Sequence, residues 1–551
     1  MLKRRSVLEL GAAWLPLRAA ASESGKSSNF QSVRALGAQG DAKTKDTEAI
    51  QKAIDSMNAA GGGTAYVPPG TYLTGGIELK SNVTLLLEAG AILLGSTDLN
   101  DYRSLPGPNP KGDANNKHLI FARGAENIAL AGLGVIDGQG PKFWANKHRA
   151  PVPPEDLWKD VATYDWAPLR RPSPMVELVE CKNVHVGTIT LRNSPGWTFR
   201  PVNCDSVFVN GLTIRNPVIG PNTDGIDPTG CHDVFISNCD IATGDDTICL
   251  KSENPYGGEV RVSRNITITN CVLTGCCNGF KMGTGTQGGF ENITFSNSVI
   301  YNEDVPLNAR VIAGIALEIV DGGWVDGILI SNIRMQNVRT PIFVRLGDRS
   351  HRNGHVSRLK GVTISDVQAT GAILTSSITG IPDHLVEDVT LRGIRISTVE
   401  GGKKEWGAEP VSEQINKYPE ARMFGRLPAF GLYCRHAKGL RFSDIQIDSE
   451  VPDPRPLLAC DDIEDLVIDG LRGKAQSPQE TQLHLHNVRN AFIRGSIAAE
   501  QTASYITVAG AQSKNITLMG NDLSGAQKVA EAAPDTPENT VFLLGNRTKA
   551  V

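Results

Sequence analysis

Apolar and polar residues alternate with a period of two along short segments of this chain, and one eight-residue pattern recurs. The octet reads apolar–x–apolar–x–(Asn, Asp or Gly)–x–x–apolar. Its clearest copies begin at Val207, Val234, Ile266, Ile293, Ile328, Val362 and Val389. Alternation of this kind indicates a strand with one buried face. Repeats of roughly 20–50 residues built from such strands are typical of a solenoid.

The fifth position of the octet is Asn, Asp or Gly, residues that tolerate the left-handed conformation of a tight turn between two short strands. The sequence between the octets contains no helical pattern of useful length. Each coil is therefore predicted to be strand–turn–strand and to stack in parallel on the next coil. We expect an all-β chain folded as a right-handed, single-stranded parallel β-helix.

The N-terminal part follows a different pattern. Asp46 is placed to cap a helix running to about Asn58, with Ile50, Ala53, Ile54 and Met57 on one face and Gly61–Gly63 ending it. We predict that this short helix covers the first coil and hides its unpaired strand edge. Residues 22–100 would then form the cap and the first coils.

Residues 101–551 are predicted to form the main β-helix. Two stretches in it, about 138–172 and 400–430, break the period. Long loops on a rigid scaffold commonly carry binding function.

Composition narrows the classes of function. The chain has 551 residues and a net charge of −4, which does not predict the basic face of a nucleic-acid-binding protein. After residue 25 no apolar run is long enough to span a membrane. We expect no nucleic-acid or membrane partner, and a capped solenoid of this kind is expected to be a monomer.

Residues 1–21 resemble an export signal. Lys3-Arg4-Arg5 precedes a mildly apolar stretch, and Ala19-Ala20-Ala21 offers a cleavage pattern. The paired arginines and weak apolar core favour a twin-arginine signal, and hence a periplasmic or extracellular protein. The alternative is an N-terminus in which the arginines are incidental.

The ten cysteines could form disulfides in an exported chain. However, Cys239 and Cys271 occupy the same octet position in successive coils, where Ser298 and Ile333 follow. We therefore predict an interior ladder of free thiols. The adjacent Cys276-Cys277 pair suits neither a disulfide nor a zinc site.

Three aspartates fall at corresponding turns of adjacent coils. Asp224 lies in Gly220-Pro-Asn-Thr-Asp-Gly-Ile-Asp227, and Asp245-Asp246 lie in the next coil. Adjacent strands are about 4.8 Å apart, so the carboxylates should cluster and their pKa values should separate. One protonated and one ionised carboxyl are the requirements of glycosidic hydrolysis. Asp227 alone is interpreted as an ordinary turn residue.

Asn222-Thr-Asp-Gly-Ile-Asp and Gly244-Asp-Asp, with Lys251 following, resemble two signatures of glycoside hydrolase family 28, which contains polygalacturonases and rhamnogalacturonases. Asn193-Ser-Pro-Gly-Trp197 also resembles the family, and Gly61–Tyr72 resembles the cap of many pectin-acting β-helices.

The resemblance implies inverting hydrolysis of a pectin-type polysaccharide. It implies that Asp245 is the general acid, that Asp224 and Asp246 activate water, and that no metal or organic cofactor takes part.

The chain departs from the family where cations and a histidine are expected. Asn278 stands at the place of the histidine, and Ala316 and Glu318 stand where the family has Arg and Lys. A carboxylate in place of a cation reverses the sign of the local field. The family's usual substrate contacts therefore cannot be carried over unchanged.

The repeat suggests where the positive charge has moved. Aligning the inward residues Ile226, Ile248, Phe280, Ile315 and Ile342 gives one outward column with Lys281 and another with Lys251, Glu318 and Arg345. Our hypothesis is that Lys251, Lys281 and Arg345 supply the displaced charge. The alternative is that Glu318 forms a surface ladder with these cations and contacts no sugar. The predicted substrate-binding residues are Asn222, Asn278, Lys251, Lys281, Glu318, Arg345 and Trp197, the last as a stacking platform.

Other functions remain open at this point. The same chemistry could act on rhamnogalacturonan or on another polymer that is not homogalacturonan. A β-elimination lyase would require calcium-binding carboxylates and a base, which the aspartate motifs do not suggest. A polysaccharide-binding β-helix with little activity would not require three crowded carboxylates.

Overall fold

The computed structural model describes residues 29–107, 116–146, 152–159, 166–218, 220–303, 305–350 and 354–549. Over these ranges the chain is a parallel β-helix whose coils contribute strands to three long parallel sheets, as the octets predict. The predicted export segment, residues 1–21, lies outside the described residues. No helix in the described ranges is long and apolar enough to cross a membrane.

The first sheet carries the front half of each octet. Its strands are Phe30–Ser32, Gly63–Val67, Val83–Leu87, Glu126–Gly132, Lys182–Gly187, Asp205–Asn210, His232–Ser237, Ser263–Thr269, Gly289–Tyr301, Trp324–Gln336, Arg358–Ala372, Val386–Thr398, Leu432–Ser449, Leu458–Arg472, Gln479–Arg494, Lys514–Met519 and Val541–Leu544. The longer strands continue into a neighbouring sheet. The second sheet adds Asp41–Lys45, Gly70–Thr74, Ala91–Gly95, Val135–Asp137, Thr190–Arg192, Thr213–Arg215, Asp240–Ala242 and Val272–Thr274.

The third sheet, called the site sheet below, carries the candidate active site. Its strands are Ile77–Glu78, Ile120–Arg123, Val176–Val179, Phe199–Val202, Ile248–Ser252, Asn278–Thr286, Ala313–Ile319, Thr340–Leu346, Ser376–Thr379, Thr502–Ala509 and Ala526–Ala532, with the first halves of Leu432–Ser449, Leu458–Arg472 and Gln479–Arg494. Trp144–Asn146 and Trp166–Pro168 form a separate antiparallel pair.

The turn inside the octet has the predicted conformation. The fifth residue has positive φ in each clear copy, at Gly211, Asn238, Asn270, Asn297, Asn332, Asp366 and Gly393. Several of these asparagines also bond to one another along the solenoid; the Asn332 amide, for example, donates to the Asn297 side chain at 2.8 Å. Asn and Gly occur here because they accept left-handed φ at low cost.

The ten cysteines are all buried and none is in a disulfide. The Cys239 and Cys271 side chains contact each other in successive coils, which confirms the interior ladder. Ser298 replaces a cysteine one coil after Cys271, and its hydroxyl accepts the Cys271 N–H at 3.1 Å. The interior is otherwise a continuous apolar core of Val, Ile, Leu and Phe running through the coils. Small side chains stack here because each coil follows the last by one strand spacing.

The cap helix runs over Thr47–Ala59 and buries Ile50, Ala53, Ile54 and Met57, as predicted. The expected capping role of Asp46 was wrong. Its carboxylate instead accepts the backbone N–H groups of Gln39 and Gly40, at 2.7 and 2.9 Å. The residue therefore ties the preceding loop to the helix start, because each of its two carboxylate oxygens accepts one of these N–H groups.

Short 3-10 helices occupy many of the connections. They are Val33–Leu36, Leu99–Asp101, Gly140–Phe143, Pro154–Lys159, Leu307–Ala309 and Lys404–Gly407. The predicted irregular stretch 400–430 contains only the last of these. It connects Val386–Thr398 to Leu432–Ser449 and packs on the outer face of the site sheet.

Candidate active site

The two aspartate motifs stack directly on one another. The Gly225 N–H donates to the Asp246 carbonyl at 2.9 Å, and the Ile226 N–H donates to the Thr247 carbonyl at 3.1 Å. A Cβ on Gly225 would lie 2.3 Å from the Thr247 carbonyl oxygen, so the glycine of the first motif is required by the close approach of the second. This stacking brings Asp224 and Asp246 into adjacent coils on one face.

Asn278 holds Asp246 in place. Its backbone N–H and its side-chain amide both donate to Asp246 Oδ1, at 3.1 and 2.8 Å. The Asp246 N–H in turn donates to Asp245 Oδ1 at 2.9 Å. The amide that replaces the family's histidine therefore orients the second carboxylate of the pair.

Cys277 lies beside the same pair. Its Sγ and one oxygen each from Asp245 and Asp246 lie within 4.8 Å of one another, a spacing that could hold a metal ion. The thiol also donates a hydrogen bond to Asp245, and Asp246 already has an ammonium partner. The expectation that no metal takes part stays a prediction.

Lys281 is the central cation of the site. Its Nζ lies 3.1 Å from Asp246 Oδ2 and 3.3 Å from Glu318 Oε2, and its side chain is only 2% exposed. The register that placed Lys281 in the column of Ala316 is confirmed by the pairing of the two strands. Glu318 is completely buried, so the Lys281–Glu318 pair exists but is not the surface ladder of the alternative interpretation.

Lys251 and Arg345 are placed differently from one another. Lys251 lies with its Nζ 5.1 Å from the centre of the Trp197 ring and 3.3 Å from the Thr284 carbonyl. Arg345 pairs in register with Glu318, but its guanidinium donates to the carbonyls of Gly380 and Glu413 at 2.8 and 2.7 Å. Arg345 is 1% exposed and therefore presents no charge to the cleft.

The three catalytic candidates have separated pKa values. Burial, together with the charges of Asp245, Asp227 and Asp246, raises the pKa of Asp224 well above its usual value. Burial and the neighbouring Asp246 raise the pKa of Asp245 to about 6. Burial opposes ionisation of Asp246, but the ammonium groups of Lys281 and Lys251 outweigh it and lower its pKa. The adjacent pair thus holds one carboxyl that can carry a proton and one that is ionised.

Two further carboxyls complete the cluster. Asp227 is fully buried and neither of its oxygens has a hydrogen-bond partner; burial raises its pKa to about 7. Burial likewise raises the pKa of Glu318 to about 8. Interpreting Asp227 as an ordinary turn residue does not account for this environment. Five crowded carboxyls around two buried ammonium groups favour retention of protons by some of them.

The upstream rim is formed by Asn222 and Trp197. Asn222 is exposed; its side chain donates to Asp245 Oδ2 at 3.5 Å and accepts from Arg171 at 3.2 Å. The centre of the half-buried Trp197 ring lies 4.9 Å from the Arg200 guanidinium and 5.1 Å from Lys251 Nζ. Trp144 is buried with its indole N–H on the Pro195 carbonyl, whereas the side chains of Trp158 and Trp166 lie outside the described residues.

Sequence reasoning missed Arg171 and Tyr418. Arg171 anchors the first motif through the Pro221 carbonyl at 3.1 Å. The Tyr418 hydroxyl lies 3.4 Å from Lys281 Nζ. Both come from the two stretches that break the period, and position in an aperiodic loop was the only signal for them.

Comparison with known proteins places this architecture among glycosidases. The model of "Glycosyl hydrolases family 28" matches residues 66–416. A "Probable polygalacturonase" of Vitis vinifera is 27% identical over 67% of this chain and 74% of its own. An endo-polygalacturonase of Pectobacterium carotovorum subsp. carotovorum is 26% identical over 64% of this chain and 84% of its own.

Solved structures show the same fold. A hyperthermoactive exopolygalacturonase from Thermotoga maritima superposes with a TM-score of 0.53 at 22% identity, covering 76% of this chain and 93% of its own. The match of the family model over most of the chain means that this protein belongs to glycosyl hydrolases family 28. It is therefore a glycosidase.

Proposed function

We propose that the protein is an exported hydrolase that cleaves glycosidic bonds of a pectin-type polysaccharide with inversion at the anomeric carbon. The observation that carries the proposal is the unequal environment of the adjacent pair, in which Asp246 is ionised against Lys281 and Asp245 has a raised pKa. An inverting hydrolase needs one protonated and one ionised carboxyl.

Asp245 acts as the general acid. It is the only one of the three catalytic candidates that is not fully buried in the structure, so its carboxyl can reach the oxygen of the leaving sugar. Protonation of that oxygen neutralises the charge that develops as the bond breaks.

Asp246 acts as the principal base and takes a proton from the attacking water. The two donors from Asn278 fix one of its oxygens, and Lys281 contacts the other. Asp224 is buried with a raised pKa, so it helps to hold the water once its own proton passes to a neighbouring carboxylate.

Polygalacturonate is the first substrate to test, since the relatives include a probable polygalacturonase and an endo-polygalacturonase. A second candidate is a backbone with a neutral sugar on one side of the cut, such as rhamnogalacturonan. The observation favouring it is that Lys281 is paired with two carboxylates and Arg345 with backbone carbonyls. Neither cation is available to a sugar carboxylate.

Product analysis of the purified protein tests the proposal. New reducing ends on polygalacturonate or rhamnogalacturonan, without the ultraviolet absorbance of unsaturated uronides, would support hydrolysis. NMR of the first products should show the inverted anomer. The Asp245→Asn variant should be inactive, whereas Asp233→Asn, a change at an αL turn outside the site, should keep full activity. A folded wild type that cleaves neither polymer would refute the proposal.

Export is tested separately. A fusion of residues 1–21 to a reporter should reach the periplasm in a twin-arginine-competent host. Changing Arg4 and Arg5 together to lysine should block it. Export that persists in the double variant would contradict the twin-arginine assignment.

A further inference from the structure

Residues 411–429, named the cover segment here, pack on the outer face of the site sheet. Ala421, Met423 and Phe424 pack against Ala316 and Phe343, which lie in the coils that follow Lys281. Further along, Val411, Leu427 and Ala429 cover Tyr433 and Ala459. The segment therefore adds a second layer over the sheet on one side of the catalytic aspartates.

Exposure along the sheet is asymmetric as a result. Downstream of Asp246, the outward residues Lys281, Ala316 and Phe343 are 2%, 0% and 0% exposed. Upstream in the same outward column, Arg200 is half-buried whereas Asp227 and Glu177 are buried. Beside Arg200, Asn222 is exposed and Trp197 is half-buried. Among the described residues, the exposed surface at the site therefore lies around Asn222 and Trp197, and the cover segment ends it at Lys281.

We propose that the enzyme removes sugars from a chain end, because the cover segment closes the cleft directly beside the catalytic aspartates. A polymer bound across Asp245 has no path along the sheet beyond Lys281, so only a terminal unit fits on the closed side. This inference rests on the proposed hydrolase function and specifies its mode of action.

The closed side also contains a cavity for the terminal unit. It has a volume of about 510 Å³ and is lined by Lys159, Tyr418, Glu420, Arg422, Met423 and Gly425, a size in the usual range for small-molecule sites. Tyr418 joins it to the catalytic cluster, since its hydroxyl contacts Lys281 while half of its surface stays exposed. A sugar face can stack on that ring, and the charged side chains can take its hydroxyl or carboxylate groups.

The direct test follows products of the wild-type protein from polygalacturonate, and from oligomers labelled at the reducing end. We expect one short product from the first time point and a slow fall in viscosity for each bond cut. In the labelled oligomers, the label should be found either on the released end unit alone or on the shortened oligomer alone. Random intermediate lengths and a rapid loss of viscosity would overturn chain-end attack while leaving the hydrolase function intact. Absence of any cleavage would overturn both.

Substitution of the stacking residue tests the cavity. Tyr418→Ala should raise KM for short oligomers about two- to tenfold, the effect of losing one aromatic contact, with a smaller change in kcat. Phe235→Ala removes an exposed aromatic from a different sheet and should leave both constants unchanged. Equal KM values for wild type and Tyr418→Ala would overturn the terminal-sugar role of the cavity.

Discussion

Two acidic clusters lie on the outer side of the site sheet, several coils apart, and they differ in how their charges are matched. The catalytic cluster has Asp224, Asp227, Asp245, Asp246 and Glu318 around two buried ammonium groups. In the downstream cluster Asp461 and Asp462 each contact an arginine and a histidine. Asp461 contacts Arg435 and His486 at 3.2 and 2.7 Å, and Asp462 contacts His436 and Arg489 at 2.7 and 3.1 Å.

The pKa values of the aspartates differ according to how their charges are paired. Burial works against ionisation of Asp462, but its bonds to His436 and Arg489 outweigh it and lower its pKa. Burial and the charges of the neighbouring carboxylates raise the pKa of Asp224. The same sheet thus carries ionised, paired carboxylates in the downstream cluster and carboxyl groups that retain protons in the catalytic cluster. The shortage of nearby cations and the depth of burial make the difference.

The largest expected effect is loss of the transferable proton. Asp245→Asn preserves shape but cannot protonate the leaving oxygen, so kcat should fall by about 10²–10⁴-fold. Initial rates on the best substrate measure it. Asp461→Asn, the matched change in the downstream cluster, should retain wild-type kcat. If Asp245→Asn kept wild-type kcat, as expected for Asp461→Asn, Asp245 could not be the general acid.

Removing the buried cation should affect both stability and activity. Lys281→Met removes the ammonium group that contacts the ionised Asp246, and breaking a buried pair costs about 3–5 kcal/mol in the free energy of unfolding. Urea unfolding at neutral pH measures this loss. Lys438→Met breaks an exposed pair with Glu464 and should cost less than about 1 kcal/mol. Similar losses of unfolding free energy in the two variants would contradict the assignment of a buried pair to Lys281 and an exposed pair to Lys438.

The pH dependence of stability should show the sign set by the raised pKa values in the catalytic cluster. Asp245, Asp227 and Glu318 have raised folded-state pKa values of about 6, 7 and 8. The folded chain therefore binds more protons than the unfolded chain above about pH 4, and this part of its stability is lost as pH rises to about 8. Thermal unfolding should show a lower Tm at about pH 8 than at about pH 5, and a smaller difference in Glu318→Gln. A Tm that rises over this interval would contradict the raised values.

The pH dependence of the reaction rate should follow the protonation of Asp245. Asp246 stays ionised to low pH, whereas Asp245 loses its proton near pH 6. The rate should therefore decline on the alkaline side from about pH 6, since the acid form is the active one. The pH profile of kcat measures it, and a decline that begins only above about pH 8 would exclude Asp245 as the group responsible.

The smallest effect is expected in the downstream cluster. Asp462→Asn removes one half-exposed partner of His436 and Arg489, so the free energy of unfolding should fall by about 1 kcal/mol or less. The kinetic constants should not change. A large loss of activity would show that this cluster takes part in the reaction.

The repeat made the backbone of the site predictable. Period-two alternation placed Ile248, Phe280 and Ile315 in one inward column, and the strand pairing confirms that column. The fifth octet position gave the left-handed turns for the same reason, because the chain changes direction between two strands at that one residue. Local patterns fix these features.

The partners of the charged residues were not predictable in the same way. Arg345 was expected to supply charge, but its carbonyl partner at Glu413 belongs to the cover segment, whose path follows no period. Tyr418 reaches Lys281 from the same segment. A repeat predicts neighbours along the solenoid and contains no information about an aperiodic loop that folds back over it.

The ten buried cysteines can report on local unfolding of this protein. Eight lie between Cys181 and Cys277, in the coils around the active site, and Cys434 and Cys460 stack together farther along. A buried thiol reacts with an alkylating reagent only when its coil opens. The order in which peptides from the two groups become labelled would therefore reveal which end of the solenoid unravels first, without any engineered probe.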